Sequence, residues 1–214
     1  MMQPADFPRP TPADLVLRGG SVLVLDPTGS RAQAVAVAAG RIVAVGSAEE
    51  ISPWIGEATR VIELAGRAVI PGINDSHLHG SWLGARWPHT FFGAEDPEAA
   101  AQVSGVLVST RAERREAILR AGRLLTELGI TSYTEPGIGP GEDEGETGSF
   151  HSEVLDIYRE LALEGALLQR ITALALYGIL DGPSDLATVL RGIRGSVSEV
   201  LMRVQIPRGF GSPV

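Results

Sequence analysis

The sequence contains no cysteine and no lysine. Without cysteine there can be no disulfide, no thiolate metal site and no cysteine nucleophile. Without lysine, Schiff-base chemistry, a P-loop lysine and a carboxylated lysine bridging two metals are excluded as well. All 18 basic residues are arginine, and 26 acidic residues bring the net charge to −8. No basic stripe is present, so neither nucleic acid nor an anionic membrane is expected as a partner. The N-terminal stretch is rich in proline and lacks the apolar run of a signal peptide. No run of 18 apolar residues occurs, so no spanning helix is expected, and the expected location is cytoplasmic. What the sequence does have is 44% apolar residues in 214, enough for one or two domains with a real core.

The organisation follows from the spacing of those residues. Residues 1–13 carry four prolines and read as a loose leader. Residues 14–66 hold short valine-rich runs bounded by Gly, Pro and Asp, which is strand-and-turn chemistry. Leu15–Leu17 ends at Gly19-Gly20, Ser21–Leu25 at Asp26-Pro27, and Ala34–Ala38 meets Arg41–Val45 across a tight turn at Ala39-Gly40. The spacing predicts a small antiparallel sheet here. Residues 67–206 alternate strand and helix patterns. Strands are expected at Arg67–Ile73, of the buried type, and at Ile130–Thr134, Arg170–Tyr177 and Glu199–Ile206. Helices are expected from Thr110 to Leu128, with Gly129 as its stop, over Glu153–Leu163, and from Ser184 to about Arg194. Such alternation implies a parallel sheet with right-handed crossovers. Residues 207–214 read as an irregular tail.

The chemistry sits in Ile70-Pro71-Gly72-Ile73-Asn74-Asp75-Ser76-His77-Leu78-His79-Gly80. In an extended chain, residues i and i+2 face the same side, with Cα atoms ~6.6 Å apart. Two imidazoles placed so can converge on one ion at ~2.0–2.1 Å from each nitrogen, while Leu78 points away to pack. The pair reads either as two metal ligands or as a surface pair in a turn. Its place after a buried strand of a β/α series favours the ligands.

Taken in order, Ala13–Gly20, Gly40–Gly46 and Ile70–Gly72 through His77-Leu78-His79 resemble the amidohydrolase superfamily, over residues 13–190. The nearest branch is the amidohydrolase-3 group, with N-substituted formamide deformylases and relatives of D-aminoacylases. Gly129-Ile130-Thr131-Ser132 fits that branch. The Ile73-Asn74 pair departs slightly from its usual pattern. The resemblance implies an α/β fold with a (β/α)8 TIM-type barrel beside a small β-sandwich. It implies one or two divalent metals, usually zinc, activating a water that attacks a non-peptide C–N bond of a small-molecule substrate. By position, His77 and His79 match the first two metal ligands. Asp75 reads as a second layer orienting the site or as a strand-end turn carboxylate.

Family members complete their site with a carboxylated lysine or acid, two further histidines and a late aspartate, none of which maps here. His89 and His151 read as loop or helix-start residues. A barrel takes about 250 residues, more than the 214 of the whole chain. The chain is therefore expected to be the front part of such an enzyme, from a truncated or frame-shifted reading frame, with little hydrolase activity alone. The alternatives are an inactive remnant that needs a partner chain to fold, and a β-rich binding module with an incidental histidine pair. Other features are read more plainly. Glu135, near the expected barrel mouth, reads as a simple strand-end carboxylate or as a contact to substrate or metal-bound water. Residues 136–149 form an exposed loop or a lid over the site. Trp82, Trp87, Phe91 and Phe92 pack a loop or line a pocket, and the arginines between Arg111 and Arg123 form a solvated helix face.

Overall fold

The computed structural model describes residues 10–89, 105–176 and 202–204. The leader up to residue 9, Phe91 and Phe92, the helix expected from Ser184 and the tail at 207–214 lie outside the described residues. The chain separates into two compact units, parted between Pro71 and Gly72. No helix among the described residues is long and apolar enough to cross a membrane.

The first unit is one five-stranded sheet. Strands β1 (Leu15–Leu23), β2 (Arg31–Ala38), β3 (Arg41–Gly46) and β4 (Arg60–Glu63) lie in the order β3-β2-β1-β4, and β5 (Ala68–Val69) also pairs with β1. The β1–β2 and β2–β3 pairs are antiparallel, the second joined at Ala39-Gly40 as expected. The β4 and β5 pairs with β1 are parallel, so the sheet is mixed and not purely antiparallel. The reason is the connection from residue 47 to 58. It holds helix α1 (Ala48–Ile51), capped by a reciprocal Ser47–Glu50 box, and a crossover of that length returns the chain in the same direction. Gly19-Gly20 does not end a strand. The chain runs through as a single strand whose register shifts between Arg18 and Val22, a bulge. Glycine is needed there because a Cβ on Gly20 would lie 2.2 Å from the Arg67 carbonyl oxygen. Val16, Ala34, Ala36 and Ile51 form the core, and Ala13 joins them. Its N–H donates to the Trp54 carbonyl, so this last leader residue is built into the sheet unit.

The expected strand Arg67–Ile73 is two strands in two sheets. Ala68–Val69 belongs to the first unit, and β6 (Ile73–Asp75) opens the second. Pro71 lacks the N–H a ladder needs, and the run is not buried: Ile70 and Ile73 are 53% and 44% exposed.

In the second unit, β6, β7 (Ile130–Ile138), β8 (Arg170–Ala175) and β9 (Met202–Val204) lie in that order. The β6–β7 and β7–β8 pairs are parallel, as the alternation implies. The β8–β9 pair is antiparallel, which corrects the expected fourth parallel strand: a strand's direction is set by where its connection returns, not by its own residues. Helices α2 (Gly80–Arg86), α3 (Arg111–Glu127) and α4 (Glu153–Leu163) accompany the sheet. The buried positions of α4 are Val154, Ile157, Tyr158 and Leu161, and those of α3 include Ala117, Ile118, Ala121 and Leu125. Both follow the i, i+3, i+4 stripe of a helix packed on a sheet. Ile118, Leu125 and the α4 residues join Tyr133, Ile138 and Ile171 from the strands in the main core.

The arginine face of α3 is solvated only in part. Arg111, Arg115 and Arg123 form exposed ion pairs, but Arg114 is buried. It donates to the Gly148 carbonyl at 2.9 Å and to Glu153 at 3.0 Å. Nor are residues 136–149 simply an open loop. Strand β7 runs to Ile138, a 3-10 turn follows at Pro140–Glu142, and Glu142 is buried.

Helix α3 begins with a reciprocal cap: the Thr110 hydroxyl accepts from the Glu113 N–H while the Glu113 carboxylate accepts from the N–H groups of Ser109 and Thr110. Thr110→Ala is expected to cost about 1 kcal/mol, read by urea unfolding. Those N–H donors hold the Glu113 carboxyl down to about 2, against an ordinary 4.5. Its contribution is complete above the ordinary value and is lost as pH falls through about 2. In Glu113→Gln, this part of the acid dependence should be missing from a pH series.

Candidate metal centre

The chain leaves β6 at Asp75 and turns at once. The Asp75 carboxylate accepts from the backbone N–H of His77 at 3.0 Å, closing a turn of the kind Asp favours. The Leu78 N–H then donates to the Thr134 carbonyl of β7 at 2.9 Å, and its side chain packs on the main core. His79 stands at the N-cap of α2. This short path is pinned at both ends, and it sets the two imidazoles beside each other. Their ring centroids are 5.0 Å apart with planes at 86°.

The two rings have different surroundings. His77 is exposed and His79 is half-buried. The Phe150 and His79 rings meet edge-to-face, centroids 5.0 Å apart. His79 Nδ1 lies 3.1 Å from the Pro136 carbonyl oxygen and 3.4 Å from Glu135 Oε1. Glu135, 0% exposed, holds its other oxygen in hydrogen bonds from the Ser81 N–H at 3.1 Å and the Tyr158 hydroxyl at 2.9 Å. The Tyr133 hydroxyl lies 3.1 Å from that of Tyr158. Burial pushes the Glu135 carboxyl above the ordinary carboxylate range, against the pull of His79 and the two donors. The Glu135 carboxylate in turn raises the His79 imidazole, outweighing its partial burial.

Of the residues singled out in sequence, His77 and His79 are brought together. Asp75 accepts from the backbone N–H of His77 rather than from an imidazole. His151 accepts at Nδ1 from the Glu153 N–H at 3.0 Å, a helix-start position, and His89 follows α2, its N–H bonded to the Arg86 carbonyl. Trp82 packs against the main core with the Arg86 guanidinium 5.4 Å over its ring, and Trp87 is 43% exposed. Glu135 is the residue undervalued in sequence. Its signal is the alternation of β7, where Tyr133, Glu135 and Gly137 share the buried face.

Imidazole nitrogens are zinc donors. The Nδ1 of His79 faces two oxygen acceptors, so its Nε2 is the nitrogen left for an ion. In that sense the pair fits part of a metal site. It does not fill one: among the described residues, no three His, Asp or Glu side chains are gathered closely enough to hold an ion.

Comparison with known proteins adds an independent line. No protein-family model matches the chain. It is 35% identical over 139 residues to the adenine deaminase of Paracoccus denitrificans, covering 59% of this chain and 22% of the relative. It is 27% identical over 219 residues to the imidazolonepropionase of Symbiobacterium thermophilum, covering 94% of this chain and 50% of the relative. The chain thus spans between about a fifth and a half of the length of these relatives. Among solved structures, a metal-dependent hydrolase from Pyrococcus furiosus superposes with a TM-score of 0.52 at 15% identity, over 75% of this chain and 50% of that one. At that identity the likeness is one of α/β fold. The chain is thus similar in sequence to parts of these two enzymes and shares an α/β fold with the hydrolase.

Proposed function

We propose that the chain carries the first part of a metal-dependent hydrolase site for a non-peptide C–N bond in a small molecule, with His77 and His79 as two ligands of a divalent ion. The observation that carries this reading is the meeting of the two imidazoles at the end of β6, with the Nδ1 side of His79 already engaged by oxygen acceptors. Zinc is the ion that imidazole donors of this kind favour, and it would supply an activated water and polarise the scissile group. The residues of this chain do the positioning. Asp75 fixes the backbone of His77, Leu78 anchors the turn between the ligands, and Phe150 screens one side of His79. An amide or formamide substrate accords with the branch that the sequence resembles, and hydrolysis of C–N bonds accords with relatives named as a deaminase and an imidazolonepropionase.

Catalytic zinc sites commonly use three protein ligands, so two histidines give weak binding, and the chain alone should turn over little substrate. Binding is nevertheless measurable. Zinc added at about 100 times its Kd should stabilise the folded chain by about 2.7 kcal/mol. His77→Ala should remove that response while leaving the zinc-free unfolding midpoint unchanged, because His77 is exposed. Thermal unfolding with and without zinc, for wild type, His77→Ala and His79→Ala, reads both effects. An equal zinc response in all three proteins would show that the pair is incidental.

A further inference from the structure

We propose that Glu135 is a positioning residue: its carboxylate, with the neighbouring Pro136 carbonyl, holds the His79 imidazole in the Nδ1–H form and so leaves Nε2 as the lone pair offered to a cation. This rests on the metal reading above and deepens it by adding a residue that touches neither ion nor substrate.

Three elements fix the carboxylate. Glu135 lies on β7, the Ser81 N–H comes from the first turn of α2, and the Tyr158 hydroxyl comes from α4. Tyr158 gives its only hydroxyl proton to Glu135, so at the 3.1 Å Tyr133–Tyr158 contact Tyr133 is the donor. The chain of donors therefore runs from Tyr133 through Tyr158 to Oε2 of Glu135. All its proton donors converge on that oxygen.

The other oxygen, Oε1, is buried and has no hydrogen-bond partner. It faces His79 Nδ1 at 3.4 Å, and that nitrogen also lies 3.1 Å from the Pro136 carbonyl. A carbonyl oxygen and a carboxylate oxygen are both acceptors. A bare Nδ1 lone pair facing the two would be repelled by both, whereas an N–H there satisfies one and attracts the other. The proton of a neutral ring accordingly belongs on Nδ1 and the lone pair on Nε2. A buried carboxylate behind a ligating histidine is a recognised way of fixing tautomer and ring orientation. Here it also accounts for an otherwise unexplained feature, a carboxylate oxygen left unpaired in a core.

The test uses the full chain and zinc alone as the probe. In the zinc-free protein, long-range 15N–1H correlation spectra should show His79 in the Nδ1–H form, and Glu135→Ala should give a mixture of tautomers. Zinc affinity, by competition with a chromogenic chelator, should fall about 10- to 100-fold in Glu135→Ala and less in Glu135→Gln, which keeps an acceptor. Wild-type tautomer and affinity in Glu135→Ala overturn the proposal, leaving Glu135 a structural tie. Loss of zinc in Glu135→Gln as complete as in His79→Ala also overturns it, making Glu135 a ligand. If Glu135→Ala does not fold, Tyr158→Phe carries the test: it frees one side of the carboxylate and should weaken zinc several-fold, and unchanged affinity and spectra sink the idea. The spectra need no zinc, so failure of the metal reading, seen as absent zinc uptake by wild type, is separable from failure of the positioning role.

Discussion

Tyr158→Ala is expected to lower the stability of the second unit by about 3–5 kcal/mol, the usual cost of removing a large aromatic side chain from a core. Tyr158 is fully buried and sits in the main cluster with Ile157, Leu161, Val154 and Tyr133. Two losses add. The ring leaves a void that the surrounding backbone of β7 and α4 can close only in part. The hydroxyl leaves Glu135, itself fully buried, with the Ser81 N–H as the sole donor on Oε2. Tyr158→Phe separates the two, since it keeps the ring and removes only the donor; it should cost about 1–3 kcal/mol. Urea unfolding followed by the fluorescence of Trp82, which packs on the same cluster, reads both variants. A cost below about 1 kcal/mol for the alanine variant would mean that the cluster is not the core of this unit.

The helices of this unit were the most legible part of the sequence. The stripe of α3 is bounded by Thr110 and Gly129, a cap and a stop, and α4 occupies Glu153–Leu163 as its spacing predicts. Both signals are local. His77 and His79 were legible for a similar reason: two residues one apart announce a shared direction whatever the fold. The split of residues 67–73 was hidden because an apolar run reads the same whether it feeds one sheet or two. The direction of β9 was hidden because it depends on a distant partner.

Glu135 is the instructive failure. Pro136 and Gly137 read as breakers, so the strand was expected to stop at Thr134 and leave Glu135 at its rim. The strand instead continues to Ile138. The β6 ladder stops at Tyr133, so beyond that point β8 is the one strand laddered to β7 among the described residues, and a residue without an N–H is tolerated where a strand has a free side. A register shift between Pro136 and Ile138 absorbs the irregularity. Four more strand residues convert a rim carboxylate into a buried one and set it beside His79. The error in strand length and the error in burial are the same error.

Gly84→Ala should destabilise the second unit by about 1–3 kcal/mol or more, although alanine is the better helix former. At most α-helical positions the exchange gains about 1 kcal/mol. At Gly84 a Cβ would lie 1.8 Å from the Ala117 carbonyl oxygen and 2.6 Å from its carbon. These are backbone atoms in the middle of α3, and no rotamer change can move them aside. Helix α2 must therefore draw away from α3, an overpacking cost of about 1–3 kcal/mol that outweighs the gain in propensity. The same displacement would break the hydrogen bond from Arg120 to the Gly84 carbonyl, 2.9 Å long. It would also carry the first turn of α2 with it, and that turn holds His79 as its cap and the Ser81 N–H against Glu135. The variant is thus expected to lose zinc affinity as well as stability. Gly122→Ala is the matched control on α3. Its Cβ would meet only the Gln169 side chain, Oε1 at 3.3 Å and Leu168 at 4.0 Å, so a shift of a few tenths of an ångström should accommodate it at little net cost. Thermal unfolding and zinc titration of the two variants side by side decide the matter: if both behave alike, the close crossing of α2 on α3 is not what places the histidine pair.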